Sequence, residues 1–371
     1  MKRFRVNIWK DEEYNYKAAY GFVPNLHAFL HDDGANEAEA DEAGEDASVN
    51  SGKNRDCMLI APGGGYCMCV PPEAAIPVKT FYEQGMNVFV LTYTTDITTT
   101  FPLKKQPMED ISRAVRFIRK NAAEYSVEDK KLIACGFSAG AHVVGSLAVH
   151  HDDIQDIDPL LKDISNRPDG VILSYPVITT GDYTHSFSVQ TLLGPNPTEE
   201  ELEYFSLEKN VTEKTPPCFI WQTATDDLVP VENSYLMAEA LRKQNVPFAH
   251  YVFPSGFHGL SVPTEEFFKG EFGGDFGGDY TMEQVMRAAT AVKKDEGVEV
   301  SQQRVQELKE QFKDAPDFVD EDSMSEVIES KEEQDKESNN EKQEAPWPVD
   351  ETLMQDVGLW PELARVWINR L

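Results

Sequence analysis

Three stretches of this chain carry side chains that could together cleave an acyl bond. Gly136-Phe137-Ser138-Ala139-Gly140 sets a serine between two glycines. Leu132 to Cys135, just before it, reads as a buried strand, and Ala141 to Val149, just after it, is small and apolar enough for a packed helix. A serine at a strand-turn-helix junction holds its hydroxyl out on a strained turn, and the glycines let the two backbones pass close to it. The plainer alternative, a glycine-rich turn with a solvated serine, fits the pentapeptide alone but not this context. Ser138 is the candidate nucleophile.

A base and an orienting acid stand later in the chain. His258 lies in Pro254-Ser255-Gly256-Phe257-His258-Gly259, a loop after the apolar run Pro247 to Phe253, where an imidazole is free to act as general base. Asp226 and Asp227 follow another apolar run, Pro217 to Thr223. Asp226 is favoured because it stands before x-x-Val229-Pro230, and Asp227 stays open as the alternative. Pro62-Gly63-Gly64-Gly65-Tyr66 follows the short run Cys57 to Ala61. Its glycine amides, uncovered by any Cβ, suit a developing oxyanion, although a tight turn alone would also use them. The expected donors are Gly64, Gly65 and Ala139. In the triad template His258 takes the proton of Ser138, and Asp226 fixes the imidazole tautomer. Other histidines read as structural: His250 within a strand, His142 packing below the serine turn, His150 and His151 at a helix end near its carbonyls. Tyr66 either walls a substrate pocket or packs.

The elements between these motifs alternate. Phe4 to Trp9 has a strand period, and Tyr20 to Leu30 could pair with it as a hairpin. Pro71 to Gln84 reads as a helix stopped by Gly85, Met86 to Tyr93 as a core strand, and Met108 to Tyr125 as a helix with Ile111, Ala114, Val115 and Ile118 on one face. After the serine turn come a strand at Gly170 to Pro176, an irregular stretch from Val177 to Pro216 with short helical pieces such as Glu199 to Ser206, and a helix at Val231 to Lys243. Such alternation implies an α/β fold, a mostly parallel twisted sheet with helices on both faces. Each candidate then falls beyond the C-terminal end of its own strand, where open α/β sheets place ligands.

The chain has 371 residues, 40% of them hydrophobic, and a formal charge of -31, which disfavours nucleic acid or an anionic membrane as partner. Residues 32–48 and 314–344 together hold 18 of those net negative charges, so the acidity belongs to tails and insertions and not to a site. Residues 32–56 read as a disordered acidic loop. The five cysteines read as core thiols of a reducing compartment, and Cys67-x-Cys69 lacks the second pair a metal site would need. The opening residues meet Asp11, Glu12 and Glu13 before any apolar run forms, unlike a secretory signal. A cytoplasmic protein without cofactor or metal is expected, acting on a small molecule and with its oligomeric state left open.

In order, APGGGY, GFSAGAH, TDDLVPVENS and FPSGFHGLS resemble the bacterial acetyl-esterase or acetylxylan-esterase-like branch of the α/β-hydrolases, which borders on the prolyl-oligopeptidase-like peptidases. The similarity runs to about Val262 and resumes near Pro348, where LWPELARVWINRL resembles the closing helix. It implies the α/β-hydrolase fold, a triad of Ser138, Asp226 and His258, and an oxyanion hole near Gly64, Gly65 and Ala139. Cys67 to Val70 departs from the pattern, being apolar where such enzymes often carry a second polar contact to substrate. Residues 263–346 depart further. They hold the repeat FGGD-FGGD, which reads as a hinge and not a calcium loop, and a helix begun by Thr281 with Gln284 in capping-box spacing. A second helix is expected over Gln302 to Phe312, then an acidic tract. The expected organisation is a core over 1–262, an acidic insertion over 263–346 that is a lid, a regulatory arm or an inert expansion, and a C-terminal helix over 347–371. The expected activity is serine carboxylic-ester hydrolysis through an acyl-enzyme on small acyl esters, acetylated sugars among them. A peptidase for short peptides and a non-catalytic binding module with acidic arms are the alternatives.

Overall fold

The computed structural model describes residues 1–32, 53–272, 274–319 and 348–371. Eight strands form one sheet: β1 (Lys2–Asn7), β2 (Asn25–Leu30), β3 (Cys57–Ala61), β4 (Asn87–Thr92), β5 (Leu132–Phe137), β6 (Gly170–Ser174), β7 (Cys218–Thr223) and β8 (Phe248–Phe253). Their spatial order is β1-β2-β4-β3-β5-β6-β7-β8. β2 runs antiparallel to both β1 and β4, and every other neighbouring pair is parallel. The crossovers that parallel pairing demands are supplied by α1 (Pro72–Glu83), α2 (Gln106–Lys120) and α3 (Ala139–His150), by α4 (Ser186–Leu193) and α5 (Glu199–Tyr204) between β6 and β7, and by α6 (Glu232–Lys243).

Alternation along the strands sorts side chains onto two cores. In β5, Leu132 and Ala134 join the core beneath α2, α3 and α6, whereas Ile133, Cys135 and Phe137 face α1 and the helices near the C-terminus. Those last helices are α10 (Glu351–Gln355) and α11 (Trp360–Ile368). Trp360 of α11 stacks on Trp221 of β7 at 5.2 Å and meets Phe137 edge-on at 5.9 Å. Fully burying such a ring is worth about 3 kcal/mol or less, and Ala364 and Ile368 of α11 are buried in the same core. The five cysteines are all buried and unpaired.

Between β8 and α10 lie α7 (Glu265–Lys269), α8 (Glu283–Lys294) and α9 (Gln302–Gln311). α9 matches the helix expected there. α8 begins later than expected, and not through a capping box: its N-cap is Met282, without a side-chain cap. The Gln284 carboxamide is used elsewhere, accepting from Thr95 N at 2.9 Å and Thr95 Oγ1 at 3.0 Å and donating to Thr95 O at 2.5 Å. Val285, Ala288, Val292 and Leu308 cluster with Cys67 and Ile97. α8 and α9 are therefore packed against the loop after β4 and Cys67, next to the glycine stretch, whereas α7 buries Phe267 and Phe268 in the core that holds α1. The acidic runs 33–52 and 320–347, to which the expectation of disorder applies, lie outside the described residues. The end of the 32–56 stretch is anchored and not loose: Asp56 O accepts from Asn87 N at 3.0 Å, and Asp56 Oδ1 from Lys131 N at 3.1 Å. Among the described residues no helix is long and apolar enough to cross a membrane.

Candidate active site

Ser138 stands at the junction of β5 and α3 with φ 53° and ψ -118°. Non-glycine residues persist there only when their surroundings over-determine the backbone, and here close approach does so. A Cβ on Gly140 would come within 2.1 Å of Ala61 O, so the turn closes against β3 only with glycine at that position. Ser138 N donates to Ser174 O at 3.0 Å, tying the turn to β6.

His258 Nε2 lies 2.8 Å from Ser138 Oγ. On the other side of the ring, Nδ1 is 2.9 Å from Asp226 Oδ2 and 3.1 Å from Oδ1. A carboxylate cannot donate, so Nδ1 carries the proton and Nε2 accepts from the serine hydroxyl. The Asp226 side chain is wholly buried. Its Oδ1 also accepts from the amides of Leu228 (3.0 Å) and Val229 (2.8 Å), which aims the other oxygen at the histidine. Asp227 contacts the same residue differently, its Oδ1 accepting from the backbone N of His258 at 3.0 Å. Thr225 and Thr223 hydroxyls both donate to Gly256 O, holding the histidine loop against the aspartate loop.

The glycine stretch closes the site from the side of β3. Gly63 approaches so near that a Cβ on it would sit 2.8 Å from Ser138 Cβ. Gly64 (φ 126°) and Gly65 (φ 61°) take left-handed backbone. The amides of Gly64, Gly65 and Ala139 have no acceptor among the described residues, whereas Gly63 N is already committed to Glu73 Oε2 at 2.5 Å. Phe187, half exposed, lies over Gly65 at the rim.

Tyr66, open between pocket wall and packing at the level of sequence, shows the packing role. It is 2% exposed, its hydroxyl is 2.7 Å from His142 Nδ1, and its ring meets Tyr93 edge-on. His142 is held beneath by Phe205 O, 2.9 Å from Nε2, and burial lowers its pKa to about 4. A neutral imidazole with Nε2 protonated thus accepts from Tyr66. His250 reaches Ser234 Oγ at 3.1 Å, away from the serine turn; His150 and His151 bond Tyr204 O and Ala148 O.

Two residues at the site had gone unnoticed. Glu73 is 3% exposed, and Tyr175, just beyond β6, packs its ring edge-on to His258 at 5.0 Å. The available signal was an acid on the otherwise apolar face of Pro72-Glu73-Ala74-Ala75-Ile76. Together these residues set a serine hydroxyl against an imidazole, a buried carboxylate behind it and unclaimed amides in front, an arrangement with the parts that acyl transfer requires.

Residues 48–241, just over half of the chain, match the BD-FAE family. Endo-1,4-beta-xylanase B of Butyrivibrio fibrisolvens is 62% identical over 292 residues, 79% of this chain and 42% of that protein. The acetylxylan esterase of Xylanibacter ruminicola is 26% identical over 213 residues, 56% of this chain and 41% of that one. The chain thus spans less than half the length of these two relatives. Among solved structures, the acetyl ester-xyloside bifunctional hydrolase of Caldicellulosiruptor lactoaceticus superposes with a TM-score of 0.62 at 31% identity, over 72% of this chain and 92% of that one. A pattern spanning the glycine stretch and the serine turn, and a solved relative matched almost end to end, identify this chain as a member of the BD-FAE family of α/β-hydrolases.

Proposed function

We propose that this chain is a serine carboxylic-ester hydrolase that works through an acyl-enzyme on small acyl esters, with acetylated xylo-oligosaccharides as the natural substrate class. The observation that carries the reading is the unbroken hydrogen-bonded series from Ser138 Oγ through His258 to Asp226. The serine attacks the ester carbonyl as His258 Nε2 takes its proton, and the buried carboxylate stabilises the imidazolium that forms. The tetrahedral oxygen points toward the amides of Ala139, Gly64 and Gly65, a donor set in which one member alone is worth about 100-fold in rate. The imidazolium then protonates the leaving alcohol, and the same base activates the water that frees the acid. The names of the xylanase, the acetylxylan esterase and the acetyl ester-xyloside hydrolase support the sugar-ester assignment. Five buried, unpaired thiols favour a cytoplasmic, reducing location. Within 263–346, α8 and α9 are read as a support next to the glycine stretch.

The test is hydrolysis of p-nitrophenyl acetate, butyrate and octanoate, of acetylated xylo-oligosaccharides, and of a dipeptide anilide, each with Ser138→Ala as control. Turnover of the short esters and release of acetate from the oligosaccharides are expected, with a loss of about three or more orders of magnitude in the variant. Ester turnover that survives Ser138→Ala would remove the nucleophile assignment, and preferred cleavage of the anilide would replace the esterase by a peptidase.

A further inference from the structure

Beside the site stands a buried acid that the catalytic series above does not use. Glu73 sits in the first turn of α1 among Ala74, Ala75 and Ile76, all buried. Its two oxygens are divided between two parts of the site. Oε2 accepts from Gly63 N at 2.5 Å, and Oε1 accepts from the Tyr175 hydroxyl at 2.8 Å. The Tyr175 hydroxyl oxygen in turn accepts from Ser261 N, three residues beyond His258, at 3.0 Å. The Ser261 hydroxyl closes the circuit by donating to Pro72 O at 2.8 Å, next to Glu73 itself.

The direction of each bond fixes the protonation state. Both backbone amides can only donate, and the tyrosine proton has Glu73 as its acceptor, so each carboxylate oxygen receives one proton from a neighbour. A protonated Glu73 would bring a surplus donor into this closed arrangement. Burial raises the Glu73 pKa, while the bonds from Tyr175 and Gly63 and the nearby His258 oppose that rise. Tyr175 (φ 36°) and Ser261 (φ 50°) both hold left-handed backbone, a conformation that needs such external constraint.

We infer that Glu73 is a positioning residue for the reaction at Ser138: its buried carboxylate sets the glycine stretch and, through Tyr175, the histidine loop at fixed separation. The inference rests on the serine-hydrolase reading. The other ionisable groups facing His258 are Asp226 at Nδ1, Asp227 at its backbone, His185 from the segment before α4, and Tyr175.

The experiment measures kcat and KM for p-nitrophenyl acetate across pH in the full chain, for wild type, Glu73→Gln, Glu73→Asp, Tyr175→Phe and Ser138→Ala, scaled to the folded fraction from thermal melts. Glutamine keeps the shape but must turn an NH2 toward either Gly63 N–H or Tyr175. Glu73→Gln and Tyr175→Phe are each expected to lower kcat about 10- to 100-fold with KM within about threefold, because they disturb the alignment of the reacting groups and not the binding of substrate. Glu73→Asp, too short to reach both Gly63 N and the Tyr175 hydroxyl, is expected to lower kcat as well. Wild-type kcat per folded Glu73→Gln molecule would overturn the inference, as would a loss carried by KM with kcat unchanged. Should Glu73→Gln not fold, Tyr175→Phe decides: wild-type kcat there overturns the positioning role. Turnover lost in Ser138→Ala but unchanged in the Glu73 variants fails this inference alone. Turnover unchanged in Ser138→Ala fails the hydrolase reading itself.

Discussion

Replacing Asp226 by asparagine isolates what the buried carboxylate does. Oδ1 accepts from two backbone amides, Leu228 and Val229, whereas Oδ2 faces His258 Nδ1 at 2.9 Å and Gln222 Nε2 at 3.3 Å. The asparagine oxygen will keep the two backbone donors, because no other acceptor serves them, so the new NH2 must point at His258. A donor there turns Nδ1 into an acceptor and moves the ring proton to Nε2. Nε2 would then present a proton to Ser138 at 2.8 Å instead of a lone pair. The serine proton loses its destination while the backbone barely moves. The same reversal in a serine-protease triad costs about 10⁴-fold in kcat, which is about 5.5 kcal/mol in the barrier. The assay is kcat for p-nitrophenyl acetate near neutral pH, with a thermal melt to verify folding. Asp227→Asn is the paired control: its carboxylate only accepts from the His258 backbone, so a loss below about tenfold is expected. A folded Asp226→Asn enzyme within about tenfold of wild type would refute the tautomer argument, and the reverse ranking of the two variants would transfer the role to Asp227.

Other perturbations test the scaffold. Arg113 is buried between Glu13 and Asp156 with its guanidinium 3.7 Å over the Trp9 ring; Arg113→Met should cost roughly 3–5 kcal/mol in urea unfolding by leaving buried Asp156 without its cation and Glu13 with Lys10 alone, and a change below 1 kcal/mol would contradict it. Gln284→Ala strips Thr95 N and O of their partner, so a loss of about 1–3 kcal/mol and faster amide exchange along α8 are expected; unaltered exchange would show that the helix does not depend on this anchor. His142 has its folded pKa lowered to about 4 from 6.5 by burial, so the unfolded state binds its proton first as pH falls. Stability from this group is complete above pH 6.5 and declines toward pH 4, by roughly 2–4 kcal/mol. Denaturant titrations of wild type and His142→Gln should converge over that interval, and parallel curves would refute the assignment.

What the sequence disclosed, and what it concealed, follows from where the physical signal lies. Ser138 and His258 were visible because exposing a reactive side chain at a strand end takes glycines and an abrupt change of period, and both are local. The pairing of β1 with β2 and the helices α1, α2 and α6 were visible for the same reason. Asp226 and Asp227 could be ranked but not separated, since the difference between them is which one reaches the ring and which the backbone of His258. Gln284 misled because the spacing of a local cap is also the spacing of a side chain free to serve a partner 189 positions away. A capping box does form at Thr198 with Glu201, and it opens α5, the helical piece expected over Glu199 to Ser206. In the irregular stretch before it, α4 went unnoticed because its N-cap, His185, makes no side-chain bond to the helix backbone and bonds the Ser188 hydroxyl instead. Glu73 was hidden most completely. One acid in an apolar helix carries no local mark of its partners at Gly63 and Tyr175, which only the fold brings to it.

The indole of Trp360 donates to Ser261 O at 2.8 Å, directly below the loop that bears His258. On the ribosome, Ser138, Asp226 and His258 are therefore all synthesised well before the helix that braces the loop bearing His258. A nascent polypeptide paused just short of α11 would carry all three side chains and lack that hydrogen bond beneath the loop, which forms only when α11 packs against the sheet.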